Sequence, residues 1–71
     1  MDPKERIENN FTFHPFKNDQ RERCKQLHEK AKELALLINQ LTPASPEQSL
    51  ALTQVEDSVM WATAAIVRNE V

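Results

Sequence analysis

Apolar residues recur at Cys24, Leu27, Ala31, Leu34, Ile38 and Leu41, in alternating steps of three and four. That seven-residue repeat is the pattern of a helix packed along its length against another helix. Arg21, Glu22, Lys25, Glu29, Lys32 and Glu33 fill the remaining faces. Asp19-Gln-Arg-Glu22 reads as a capping box, so the spacing predicts a helix over 19–41, roughly 34 Å long at ~1.5 Å per residue. Pro43, in Thr42-Pro-Ala-Ser45, cannot continue the hydrogen-bond ladder. Ser45-Pro-Glu-Gln48 restarts it with a serine cap and proline at the first helical position. The second helix, predicted over 46–69, repeats the seam at Leu52, Val55, Val59, Ala62 and Ile66. A connection this short returns it antiparallel to the first, which makes an αα-hairpin.

The seams leave a surplus. Leu36, Leu37, Leu50, Met60, Trp61, Ala64, Ala65 and Val67 lie off them, and between Val59 and Val67 only Thr63 is polar. A helix apolar nearly all round is buried on more than one side, which a two-helix hairpin cannot provide. The leftover face is expected to meet other copies of the chain in a homo-oligomer.

Ahead of the hairpin, residues 1–18 read as an N-terminal arm. Asp2-Pro-Lys-Glu5 is a capping box that starts a short helix through about Ile7 or Glu8, and Asn9-Asn10 is expected to end it in the left-handed conformation. Asn10-Phe-Thr-Phe-His-Pro-Phe-Lys17 then carries all three phenylalanines of the chain. Pro15 keeps His14 out of the helical region and so holds the segment extended. Phe11, Phe13 and Phe16 have two readings: a lid folded back over a small core, or a flat face for a ring-shaped ligand. Area burial favours the lid.

Composition narrows the class. The 71 residues contain no glycine and are rich in strong helix formers, so the fold is all-α, a single domain over 1–71. The lack of glycine also argues against a phosphate-cradling loop or a dinucleotide fingerprint. A net charge of −2 excludes DNA binding by bulk electrostatics. Local positive charge remains at Lys17, Arg21, Arg23 and Lys25, opposed nearby only by Asp19 and Glu22, and suits a small anion. No apolar run reaches the ~20 residues that span a bilayer, and the first residues do not resemble a signal peptide, so a soluble cytosolic protein is expected.

Catalytic chemistry finds no foothold. The single Cys24 occupies a seam position, as a small core hydrophobe does, and it excludes both an internal disulfide and a cysteine metal cage. His14 and His28 are fourteen positions apart, without partners at zinc-ligand spacing. There are no paired carboxylates and no nucleophile–histidine order, so neither an enzyme nor a metal or cofactor site is expected. A binding module fares better. Basic residues at a helix N-terminus beside flat aromatic rings suit a ligand that combines phosphate with base.

Several separated blocks carry a resemblance. Glu8-Asn-Asn-Phe-Thr-Phe-His-Pro15, Lys30-Ala-Lys-Glu-Leu-Ala35, Ser49-Leu-Ala-Leu-Thr53 and Val59-Met-Trp-Ala62, with Ala65-Ile66 and Arg68-Asn-Glu70, are similar to small phage proteins of the anti-CBASS/anti-Thoeris hairpin family. These are cyclic-nucleotide sponges. The resemblance implies a two-helix hairpin with an N-terminal arm, assembled as a hexamer or related oligomer in the host cytosol. It implies sequestration, without bond cleavage, of a cyclic di- or trinucleotide or cyclic ADP-ribose-type messenger, which blocks host anti-phage signalling.

Carried over by position, the family's stacking aromatic, usually a tyrosine of the arm, falls on Phe13, which keeps the face and loses the hydroxyl. Its basic phosphate contact falls near His28, a side chain only partly protonated near neutral pH. Lys25 and Arg21, one and two turns earlier, are placed to supply the missing charge. Cys24 stands where close relatives carry a tyrosine. Phe11, His14 and Lys17 complete the ligand-binding set from the arm, and Trp61 and Arg68 are its expected contribution from a second chain. The rival reading is a small helical adaptor or inhibitor whose surplus apolar face docks on a different protein.

Overall fold

The computed structural model describes residues 2–70; Met1 and Val71 lie outside the described residues. Three helices follow in order: α1 (Pro3–Phe11), α2 (Gln20–Leu41) and α3 (Pro46–Asn69). The chain is an all-helical hairpin of α2 and α3, preceded by α1 and an extended segment.

The turn of the hairpin forms as its side chains dictate. Thr42 leaves α2 in an extended conformation, and its hydroxyl donates back to Ile38 O at 2.7 Å. Ser45 Oγ accepts from Gln48 N at 3.1 Å and so caps α3. Gln48 Nε2 reaches across to Thr42 O at 3.0 Å and Thr42 Oγ1 at 3.1 Å, tying the two helix ends together. At the other end, Asp2 Oδ1 caps α1 by accepting from Glu5 N at 2.8 Å.

Two local expectations are corrected. Asn9 and Asn10 do not end α1. Both stay helical and the helix runs on to Phe11, with the Thr12 hydroxyl donating back to Glu8 O. The left-handed asparagine is Asn18 instead, at φ 52, where the chain turns into α2. A short polar side chain makes that conformation accessible without glycine. The predicted Asp19 cap is also absent: its carboxylate makes no bond to the helix amides and lies 3.2 Å from Arg23 Nε.

The seam is narrower than the repeat suggests. On α2 only Gln20 and Cys24 are buried, each 3% exposed, and the contact line continues through the half-buried Ala31, Ala35 and Ile38. Leu27, Leu34 and Leu41 slip to one flank and stay 37%, 48% and 69% exposed. One partner helix covers only one strip of α2, and the small alanines let it sit low between the flanks. The α3 seam residues Leu52, Val55, Val59, Ala62 and Ile66 are all half-buried.

The fold is one layer thick. Its Cα extents are 44 × 28 × 15 Å and its radius of gyration is 15.3 Å, against about 11 Å for a compact chain of this length. Its accessible surface of 5824 Å² exceeds the roughly 4,500 Å² of a compact 8.2 kDa monomer. Leu36, Leu37, Leu50, Met60 and Trp61 contribute to that surplus.

Candidate functional site

The aromatic segment does not close over the hairpin. Phe11 and Phe13 are 87% and 86% exposed, so within one chain they are not the lid that area burial favoured. Phe16 behaves differently. It is 46% exposed, and the Arg21 guanidinium carbon sits 5.8 Å from its ring centroid. That cation–π contact, worth about 0.5–1 kcal/mol at an exposed site, holds Arg21 toward the arm. His14 is half-buried, with Nε2 2.8 Å from Asn9 O. A carbonyl only accepts, so Nε2 carries the hydrogen and Nδ1 is the ring nitrogen left for another partner.

Along α2, Arg21, Lys25, His28 and Lys32 recur at steps of four, three and four. Helical geometry places them on one flank, the opposite side of the contact line from Leu27, Leu34 and Leu41. All four are exposed. Lys25 is only loosely engaged, 4.0 Å from Glu29. His28 and Lys32 rim a shallow groove of ≈ 290 Å³, floored by Ala31, Ala35, Val55 and Val59 and closed on the α3 side by Glu56. The Glu56 carboxylate offsets part of the positive charge there.

Arg23, counted in the positive patch, is not available to a ligand. Its guanidinium forms a two-pronged ion pair with Glu70, Nη1 to Oε2 at 2.9 Å and Nη2 to Oε1. The pairing hydrogen bond holds the Glu70 carboxyl below its ordinary range and the Arg23 guanidinium above its own. The usable charge is thus Lys17, Arg21, Lys25 and Lys32, with the His28 imidazole between the last two.

Trp61 and Arg68 occupy another place. Trp61 is 63% exposed, and with Arg68, Ala64, Ala65 and Asn69 it faces Arg6, Asn9 and Asn10 of α1 across a concavity of ≈ 300 Å³. None of these residues lines the His28 groove. One chain therefore offers two part-sites, the basic stripe of α2 with its His28 groove and a concavity that Trp61 and Arg68 share with α1 of the arm. Among the described residues, no group of three or more His, Cys, Asp or Glu side chains is placed to hold a metal ion. No described helix is long and apolar enough to cross a membrane.

The family model described as the Acb2/Tad1 hairpin domain matches residues 3–67, nearly the whole chain. The chain belongs to the Acb2/Tad1 hairpin-domain family. No curated protein and no solved structure matches it. The match spans α1, the arm, α2 and nearly all of α3, so in this Acb2/Tad1 hairpin the arm is part of the family's domain and not an appendage.

The structure adds residues of this Acb2/Tad1 hairpin that the sequence reading missed. Gln20 is buried, its Oε1 accepts from Lys17 N at 2.9 Å, and its Nε2 points at the end of α3. Asn9 donates to Arg68 O at 3.2 Å. Glu70 receives Arg23. The seam rule carried one signal, since Gln20 precedes Cys24 by four and so falls on the contact face. The partners of Asn9 and Glu70, 59 and 47 residues away, leave no local signal.

Proposed function

We propose that this chain is a non-catalytic sponge for cyclic oligonucleotide immune messengers, made by a phage and acting in the host cytosol to silence anti-phage signalling. The observation that carries the reading is Phe13, an aromatic ring 86% exposed on the segment that leads into the basic helix α2, in a chain matched to the Acb2/Tad1 hairpin family. Exposed aromatic faces stack on bases for about 1–3 kcal/mol each. Phosphates are met by Lys17, Arg21, Lys25 and His28. The N-terminal amides of α2 add a favourable partial charge; Gln20 N donates to Lys17 O, and no Asp19 cap bond occupies those that follow.

The working unit is a homo-oligomer, a hexamer by family resemblance. Its support is the surplus surface of the single chain and the row Leu27, Leu34 and Leu41 along one flank. A standard interface takes about 800 Å² from each partner, which the excess over a compact monomer readily supplies. Assembly also gives the two part-sites a way to meet: the arm and basic stripe of one protomer face Trp61 and Arg68 of another.

The test is calorimetry of the purified protein against cyclic di- and trinucleotides and cyclic ADP-ribose isomers. The ligand is then recovered after denaturation and assayed. Tight binding with intact ligand returned establishes the sponge and names its messenger. Altered ligand makes the protein an enzyme. No binding across the panel favours the adaptor reading, in which another protein covers the apolar flank.

A further inference from the structure

The segment between α1 and α2 is fastened at both ends to the last turn of α3. At its N-terminal base, Asn9 Nδ2 donates to Arg68 O at 3.2 Å, while Asn9 O accepts from His14 Nε2 at 2.8 Å. One asparagine therefore ties α3 to the middle of the arm. At the C-terminal base, Gln20 Oε1 accepts from Lys17 N at 2.9 Å, and Nε2 lies 3.5 Å from Ile66 O, 3.4 Å from Glu70 O and 3.5 Å from Glu70 Oε1. The contacts to α3 are long, at the weak end of hydrogen bonding. Their burial favours them nonetheless: Gln20 is 3% exposed, and its amide has little water to turn to. Arg23 fixes Glu70, the residue that receives two of these contacts.

Between the two fastenings Phe11 and Phe13 project into solvent with no packing of their own to hold them. We propose that Asn9 and Gln20 are positioning residues, which use the C-terminal turn of α3 as an anchor to hold the aromatic segment in its binding shape. The inference rests on the sponge reading and extends it to residues that do not themselves face the ligand. An arm ordered in advance loses less freedom on binding than a free one, so affinity depends on the anchor as well as on the ring that stacks. The backbone groups Arg68 O, Ile66 O and Glu70 O do the receiving, so the last turn of α3 matters to the arm through its helical shape.

The experiment compares full-length Gln20→Ala, Asn9→Ala and Cys24→Ala proteins with wild type. Cys24→Ala removes a buried side chain one turn from Gln20 that makes none of the fastening hydrogen bonds, and so controls for plain destabilisation. Trypsin cleavage after Lys17 reports the arm, and cleavage after Lys30, in the middle of α2, reports opening of the hairpin. Affinity is measured by calorimetry with cyclic GMP–AMP and cyclic tri-AMP as probes. Gln20→Ala and Asn9→Ala are expected to raise the Lys17-to-Lys30 cleavage ratio and to weaken probe binding by about tenfold. Cys24→Ala should leave the ratio unchanged. An unchanged ratio in the two arm variants, or an equal rise in Cys24→Ala, overturns the anchor. A raised ratio with undiminished affinity overturns its role in binding. If wild type binds neither probe nor any other cyclic nucleotide, the sponge reading fails on its own, and the cleavage ratios still decide whether the anchor exists.

Discussion

Phe13→Ala separates the ligand-face reading of the arm from the lid reading. In the single chain Phe13 is 86% exposed, so folding hides only a small part of the ring. A fully buried phenylalanine contributes about 1.5–3 kcal/mol, and the hidden fraction scales this to roughly 0.2–0.4 kcal/mol. For a domain of this size that shifts the melting temperature by about 1–3 °C. Stacking on a base is worth about 1–3 kcal/mol, which is roughly a 5- to 150-fold change in dissociation constant. The two effects differ enough to be read side by side. Calorimetry against the tightest-binding cyclic nucleotide should show the large loss. Thermal unfolding by circular dichroism and sedimentation of the same sample should show almost none. A fall in oligomer mass, or a melting shift well beyond a few degrees, would mean that the ring is buried between protomers, and the stacking argument would be refuted.

Three further perturbations test other parts of the reasoning. Leu34→Gln should leave the helical content of the hairpin intact, because the side chain is already 48% exposed, yet weaken self-association by about 1 kcal/mol per protomer, seen as dissociation on dilution in sedimentation. His28→Ala should weaken cyclic-nucleotide binding in calorimetry while leaving the helical content unchanged by circular dichroism, because the side chain is exposed on the rim of the groove. Undiminished affinity in the variant would remove His28 from the ligand-binding set. Glu70→Gln should remove an acid-sensitive contribution to stability. The Glu70 carboxyl is held below its ordinary value of 4.5, so the stabilisation is present above that pH and is lost as pH falls through the lowered value. Wild type and variant melting temperatures should therefore converge in acid, and a constant difference down to pH 2–3 would contradict the assigned pairing.

The helices were legible because their signals are local. Proline at the first helical position with the Asp2 and Ser45 caps starts α1 and α3, and the three–four spacing runs along α2 and α3. Where local signals compete, a side-chain contact decides. Asn9 looked like a helix terminator because asparagine accepts the left-handed conformation, but its side chain finds Arg68 O and the helix continues. Asp19 looked like a cap because it opens a capping box, but Arg23 one turn on draws its carboxylate away.

The sequence by itself determined the all-α hairpin, its turn, the exposed basic stripe on α2 and the family of the chain. The first three follow from residues close together in the sequence or from their repeat, and the family from several separated blocks. Only the tertiary structure decided which apolar positions are covered, that Arg23 is paired and not free, and that the arm hangs from the last turn of α3. The last two depend on contacts 46–59 residues apart, whose energies come from desolvation and geometry at the meeting point. A seven-residue repeat marks which side of a helix faces a partner. How wide a strip the partner covers is set by the shape of both helices, and here the low alanines of α2 leave Leu27, Leu34 and Leu41 outside.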